Sequence, residues 1–314
     1  MPVPLTRSKT RDFVPAPDAV LRAVGLMLAF CAIAPLIDVA SKVASQSVTV
    51  TQVAFFRMFF QALLMAPVVI VMRQGLRMTR GQTKLMALRA LMLIGSTYAF
   101  VAAVQVMPIA DALAIVFVEP FILLVLGYLL FGDHVGPRRI AASAVGFCGA
   151  LLVIQPNFDR FGAVALYPLG TALFFALYML LTRRIAREVA PEAMQFHTAW
   201  IGTLAMLPVL ALGHGAGFEL LTLSNTDLAT WLWLGGVGLS ATISHMMITY
   251  ALRYAPSATL APLHYLEIVS AVAFGWLFFG DWPNLLSWAG IAIIVASGLY
   301  IIARERTLAR AAPH

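Results

Sequence analysis

Two glutamates stand where this chain has least use for them. Glu119 lies near the middle of ALAIVFVEPFILLVLGYLLFGD (residues 112–133), and Glu267 near the middle of ATLAPLHYLEIVSAVAFGWLFFGD (residues 258–281). Charge at the depth of a bilayer costs at least about 2.5–3.5 kcal/mol, so such groups face a partner, water or a ligand rather than lipid. Carboxyl groups removed from water also hold protons more tightly. The chemistry open to the pair is therefore binding of a cationic group, exchange of a proton, or both. His264, one turn before Glu267, could share that proton. Asp38 and Lys42 are four residues apart on one helix face, acid before base. Arg57 is a permanent cation that can hold an anionic group as a fork, and His245 can titrate near neutral pH. Pro120, directly after Glu119, has no N–H for the carbonyl of Val116 and kinks its helix as a hinge. A carbonyl freed in a membrane needs protein, water or ligand. Blander readings stand beside these: an ion pair at a span end for Asp38 and Lys42, with Lys42 reaching the interface; a structural pair for Arg57 with Asp38, Glu119 or Asp111; a helix cap for Asp111; an interhelical hydrogen bond for His245.

The elements that position these groups follow from composition. Of 314 residues, 61% are hydrophobic and 11% charged, far more apolar than a soluble domain of this size requires. Apolar runs of about 20 residues, enough to cross the hydrocarbon core as a helix, place spans near 20–42, 50–72, 86–106, 109–131, 138–156, 163–182, 193–213, 228–252, 257–280 and 285–303. A porin-like barrel is excluded, because its strands would alternate polar and apolar over about ten residues. The expected fold is an all-α integral membrane protein with ten transmembrane helices. Of the 21 Lys and Arg, all but Lys42, Arg57 and Arg160 fall on the tails or on the loops after spans two, four, six and eight, including "RQGLRMTRGQTKLMALR". The positive-inside rule then puts both termini in the cytoplasm. Residues 1–19 and 304–314 read as cytoplasmic tails, the first too polar and Pro-rich for a cleavable signal. The net charge of +7 is a topology signal, not a nucleic-acid footprint.

The two apolar stretches are also copies of each other. An offset of 148 aligns Pro108 with Pro256, Ala110 with Ala258, Glu119 with Glu267, Gly127 with Gly275, and both Phe-Gly-Asp endings. Earlier, an offset of 141 aligns Lys42 with Arg183, Met65 with Met206 and Pro67 with Pro208. Five spans per half is an odd number, so residues 20–156 and 163–303 form two repeats inserted in opposite senses. Inverted repeats with a site near the midplane are a mark of secondary transporters. With the Pro-plus-FG[DE] ending of spans four and nine, the chain resembles the drug/metabolite transporter superfamily, specifically EamA-type carriers, over residues 20–303. "APLIDVASKVASQSVTVTQVAFFRMFF" is similar to the D-x-x-x-K then F-F-R pattern of a subgroup that includes S-adenosylmethionine and riboflavin uptake carriers; Asp133 and Asp281 stand where the family commonly has Glu. The resemblance implies a bundle in which spans one to four and six to nine surround a cavity, spans five and ten lie at the periphery, and the protein sits in a bacterial inner membrane.

On this reading the partners are membrane lipid and a small metabolite, cationic or zwitterionic, moved by alternating access with proton coupling through Glu119, Glu267 and His245. Uptake is favoured by the subgroup resemblance, with export of amino acids or related metabolites as the alternative. Substrate contact would also draw on His264, Arg57, Asp38, Lys42 and the aromatics inside spans, Tyr98, Tyr178, Tyr250, Tyr265 and Trp200, for which core packing is the competing role. Gly127 and Gly275 suit close packing of the faces that carry the glutamates. Asp133 and Asp281 read as caps after the helix-stopping Gly132 and Gly280. Cys31 and Cys148 read as packed thiols. No spacing suggests a metal site, a cofactor or a nucleotide; a membrane-embedded lipid-modifying enzyme using the same carboxylates as acid and base is the lesser alternative, disfavoured by the short loops.

Overall fold

The computed structural model describes residues 17–73, 77–107, 109–133, 135–155, 162–186, 188–215, 223–280 and 282–311. Pro108, Arg160, Glu219, Asp281 and the side chain of Asp111 lie outside the described residues. The described chain is helical and without strands: α1 Pro17–Ile33, α2 Pro35–Ala44, α3 Val50–Val71, α4 Arg80–Val106, α5 Ile109–Val116, α6 Glu119–Phe131, α7 Pro137–Ile154, α8 Leu166–Ile185, α9 Pro191–Gly215, α10 Leu228–Tyr254, α11 Ser257–His264, α12 Glu267–Phe279 and α13 Leu285–Ala311. Nine stretches among these residues are long and apolar enough to cross a membrane. The 18-residue α7 occupies the place expected for a further one. Large apolar side chains remain exposed on the outer faces, such as Ile70, Leu212 and Leu285, as lipid contact requires.

Local signals set the helix starts. Thr49 accepts the N–H of Gln52, Thr79 and Gln82 form a reciprocal capping box, and Asp227 accepts from the N–H and hydroxyl of Thr230. Those two bonds from Thr230 hold the Asp227 carboxyl below its usual range. Gly132 and Gly280 stop α6 and α12 with φ of 68° and 76°, a conformation that favours glycine.

Three spans are discontinuous. The first breaks at Ala34, before Pro35, into α1 and α2. The fourth breaks at Phe117 and Val118 into α5 and α6, and the ninth at Tyr265 and Leu266 into α11 and α12. The last two breaks are repeat mates, and each places its glutamate as the first residue of the following half-helix. Pro120 therefore has an echo in function though not in sequence: Ile268 stands at its place and the break still forms. Pro67 and Pro208, by contrast, lie inside continuous helices.

The halves are interleaved rather than side by side. α4 packs on α8 and, as its mate, α1 packs on α10; α3 packs on α9, α6 on α11, and α7 on α13. The α7–α13 crossing brings backbones together at Gly149 and Gly290. A Cβ on Gly290 would lie 2.5 Å from the Gly149 carbonyl oxygen and 2.8 Å from the Val153 nitrogen. Of the glycines singled out in spans four and nine, Gly127 is tightly enclosed, whereas a Cβ on Gly275 would meet nothing within 4 Å. Gly238 of the "GGVG" run is a close-packing site, because a Cβ there would collide with Phe60.

Gly290→Ala should destabilise the protein by about 1–3 kcal/mol, since backbone atoms cannot yield to the added methyl. Gly25→Ala, in open space within α1, should be neutral or stabilising by up to about 1 kcal/mol through helix propensity. Thermal unfolding of both variants in detergent checks the contrast in sign.

Candidate functional site

The breaks in spans four and nine meet inside the bundle. At the first, the Phe121 N–H goes to Val118 rather than Phe117, which releases the Phe117 carbonyl. The Tyr265 hydroxyl donates to that carbonyl at 3.1 Å, and the two rings lie 5.8 Å apart. Phe117 and Tyr265 are themselves repeat mates, so one break caps the other. The Cys31 thiol points at the carbonyls of Leu263 and His264, at 3.5 and 3.9 Å. The Cys31 carbonyl in turn accepts from Ser270. Cys31 is thus buried and engaged at the second break, while Cys148 is exposed.

Placed at these half-helix N-termini, the two glutamates converge on one imidazole. His264 Nδ1 is 2.7 Å from Glu119 Oε2, and Nε2 is 2.8 Å from Glu267 Oε2. Neutral imidazole has a single N–H. Both contacts are therefore satisfied only if His264 is cationic or one carboxyl carries a proton. The cluster holds a proton that has at least two addresses. Glu119 is 1% exposed, yet its other oxygen, Oε1, has no hydrogen-bond partner.

The cluster opens on a cavity with about 730 Å³ of atom-free space, its open side included. Asp38, Arg57, Glu119, His245, His264 and Glu267 all line it. The ring wall is phenylalanine: Phe30, Phe100, Phe117 and Phe175. Phe175 lies against both imidazoles, 5.9 Å from His264 and 6.0 Å from His245 between centroids.

Arg57 comes from α3, buried and without a carboxylate in contact among the described residues. It donates to Thr97, and its Nη2 lies 2.9 Å from His245 Nε2. Its Nε has no partner. A guanidinium only donates, so Nε2 of His245 accepts and the ring proton sits on Nδ1. Nδ1 lies 2.8 Å from the Tyr178 hydroxyl oxygen, which also accepts from Arg89 Nη2 at 2.6 Å. Arg89 is fully buried and donates further to Thr182 at 2.7 Å, Gln195 at 3.0 Å and Thr198. Donors thus run inward from both arginines and converge on Tyr178.

Arg89 was counted above among the loop charges after span two. The structure instead extends α4 back to Arg80 and draws Arg89 into the core. Its signal was available in the unbroken helical run "RGQTKLMALRALMLIG", which lacks a turn residue that would end a loop at Arg89.

Several other expectations fall elsewhere. Lys42 does not pair with Asp38 among the described residues; its ammonium lies 5.0 Å from the Phe279 ring centroid. Tyr178 and Tyr265 stand behind the cavity wall as hydrogen-bond partners. Tyr98 packs with the Val48–Val53–Leu234 core, Tyr250 donates to Glu192, and Trp200 is 47% exposed. Polar aromatics serve the frame here because their hydroxyls satisfy buried groups, leaving phenylalanine to face the cavity. Asp133 does not cap the following helix, since the N-cap of α7 is Gly136. It is bound through both carboxylate oxygens by Arg183.

Comparison with known proteins matches the EamA-like transporter family model over residues 21–155 and 162–303. A riboflavin transporter of Rhizobium johnstonii is 34% identical over 207 residues, 66% of each chain. An S-adenosylmethionine uptake transporter of Rickettsia conorii is 26% identical over 86% of this chain and 88% of its own. A pseudopaline exporter of Pseudomonas aeruginosa is 25% identical over 85% and 89%. A solved crystal structure at 18% identity superposes with a TM-score of 0.71 over 94% of this chain and 98% of that one, which speaks for the fold alone.

Tyr178→Phe removes the shared acceptor of His245 and Arg89. It should cost about 1–3 kcal/mol of stability, the penalty for buried donors left unpaired. In the ¹⁵N spectrum of imidazole-labelled protein, His245 should show a protonated Nδ1 and a bare Nε2. A protonated Nε2 in the wild type would contradict the donor direction read from Arg57.

Proposed function

This chain belongs to the EamA-like transporter family, and we propose that it carries a small polar organic metabolite across the cell membrane by alternating access. It is a multi-pass membrane protein, and the family and the relatives' names are those of transporters, not enzymes. The ten-span arrangement with both termini in the cytoplasm is part of the proposal, supported by the charge count and by α7 as the further span. The observation that carries the reading is the cavity wall itself: two repeat-related glutamates sharing one imidazole at the breaks of spans four and nine, opposite Arg57.

The unpartnered atoms describe the cargo. Glu119 Oε1 is an acceptor waiting for a donor, and Arg57 Nε is a donor waiting for an acceptor. A zwitterion, or a cation that also bears a carbonyl or hydroxyl, satisfies both, with its apolar body against Phe30 and Phe175. Asp38 adds a third carboxyl to the same wall, which favours a cationic group. The proton held among Glu119, His264 and Glu267 is displaced when a cationic group takes its place, and this is the basis for coupling. Phosphoanhydride chemistry has no motif here, so the driving force is an ion or substrate gradient. Uptake is supported by the names of the riboflavin and S-adenosylmethionine relatives, and export by the pseudopaline exporter.

Purified protein in liposomes should show saturable counterflow of at least one member of a metabolite panel that begins with riboflavin and S-adenosylmethionine, without chemical change. An imposed pH gradient should drive accumulation. Glu119→Gln and Glu267→Gln should each reduce that gradient-driven accumulation at least tenfold while leaving folded protein in the membrane. Normal gradient-driven flux in both variants at every pH would overturn the shared-proton site, and chemical conversion of the cargo would overturn the carrier reading.

A further inference from the structure

Among the described residues, Arg183 and Asp133 form a buried ion pair that lies outside the cavity. Arg183, in the last turn of α8, is bidentate: Nη1 to Asp133 Oδ2 at 2.5 Å and Nη2 to Oδ1 at 2.7 Å. Ser257, the first residue of α11, joins them, 3.1 Å from Arg183 Nη1 and donating to Asp133 Oδ2 at 3.2 Å. The guanidinium lies 4.6 Å from the Phe131 ring centroid. All three polar side chains are buried. Gly127, one turn back on α6, makes room: a Cβ there would lie 3.0 Å from Asp133 Oδ2 and 3.1 Å from Ser257 Oγ. The knot ties the end of α6, from the first repeat, to α8 and α11 of the second. It stands at the Arg-rich end of the bundle, and none of its members lines the cavity.

The repeat supplies the comparison. Lys42 is the mate of Arg183, Phe279 of Phe131, Gly280 of Gly132 and Gly275 of Gly127. At that opposite end the cation again lies over the phenylalanine, at 5.0 Å. The packing around the two helices differs. Gly275 has nothing within 4 Å of a would-be Cβ. α12 buries only Ile268, where α6 buries Glu119, Pro120, Leu123, Leu124 and Gly127. Among the described residues, α6 is the more enclosed at its end of the bundle, and α12 is largely unburied at the other.

We propose that Arg183, Asp133 and Ser257 form a latch that closes the cytoplasmic end of the cavity and releases in each cycle. The proposal rests on the alternating-access reading and on the sidedness given by the charge count. A bidentate pair suits a latch, because its geometry specifies one closed arrangement. Desolvating the two charges on closing offsets much of their attraction, so the pair specifies the closed arrangement without locking it.

The test needs no substrate. Cysteine reporters are placed at Leu180, buried on the cytoplasmic side of the cavity, and at Ile37 on its outer wall, each in a Cys148→Ser background. Labelling by a membrane-impermeant maleimide is timed in sealed inside-out vesicles for Leu180→Cys and right-side-out vesicles for Ile37→Cys. Arg183→Gln should raise the inner rate at least tenfold and lower the outer rate at least threefold. Ser257→Ala keeps the ion pair and should shift both rates in the same directions with smaller amplitude, which serves if Arg183→Gln fails to insert. The charge-exchanged Asp133→Arg with Arg183→Asp should return both rates toward the parent. A permanent structural pair predicts otherwise: both rates rise together as the fold loosens, or neither moves, and either result overturns the latch. Absence of flux for every metabolite alongside reciprocal labelling would overturn the carrier reading and leave the latch standing.

Discussion

Hydrocarbon has no hydrogen bonds to offer, and the centre of this protein is organised around that fact. Among the interrupted spans, the fourth and ninth break within the bundle, and an interrupted helix in lipid exposes carbonyls that must find partners. The molecule answers by bringing the two interruptions face to face. Tyr265 of one donates to the Phe117 carbonyl of the other, and Cys31 addresses the carbonyls left at the second break. Once the breaks are closed in this way, each following half-helix begins inside the bundle with a glutamate as its first residue. The positive end of each half-helix dipole then lies beside a carboxylate. The acidic wall of the cavity thus stands where the backbone is interrupted.

The polar network behind Arg57 follows a second logic. Two buried guanidinium groups face each other across His245 and Tyr178, and neither touches a carboxylate among the described residues. Neutral oxygens from α8, α9 and α10 surround Arg89 instead. Removing any one of these oxygens leaves a donor unpaired in a medium that cannot replace it. Such a network holds its members in one arrangement, which keeps Arg57 aimed at the cavity.

The broad plan was legible because membrane insertion writes itself into composition: apolar run lengths and a 148-residue echo both survive in the linear chain. Glu119, Glu267, His264, His245, Asp38 and Arg57 were recognisable as charged or titratable groups in apolar surroundings, and they do share a wall. What was not legible depends on partners distant in sequence. That Asp133 meets Arg183 rather than capping a helix requires knowing that α6 and α8 end together. That Tyr178 and Tyr265 serve the frame requires knowing which hydroxyl faces which orphaned group. The missing proline in span nine misled in the same manner. A break can be held by the tertiary contacts of its carbonyls as well as by the residue that cannot donate.

The interleaving of the halves has a consequence of a different kind. α1, α3, α4 and α6 each rest chiefly on helices of the other repeat, and even the peripheral α7 is matched with α13. A single five-span unit would leave these faces bare, and the surface that covers them belongs to its repeat mate. Neither half therefore completes a core without the other. His264 is where the two halves part, since its mate is Val116: one copy alone carries the base on which both acids close.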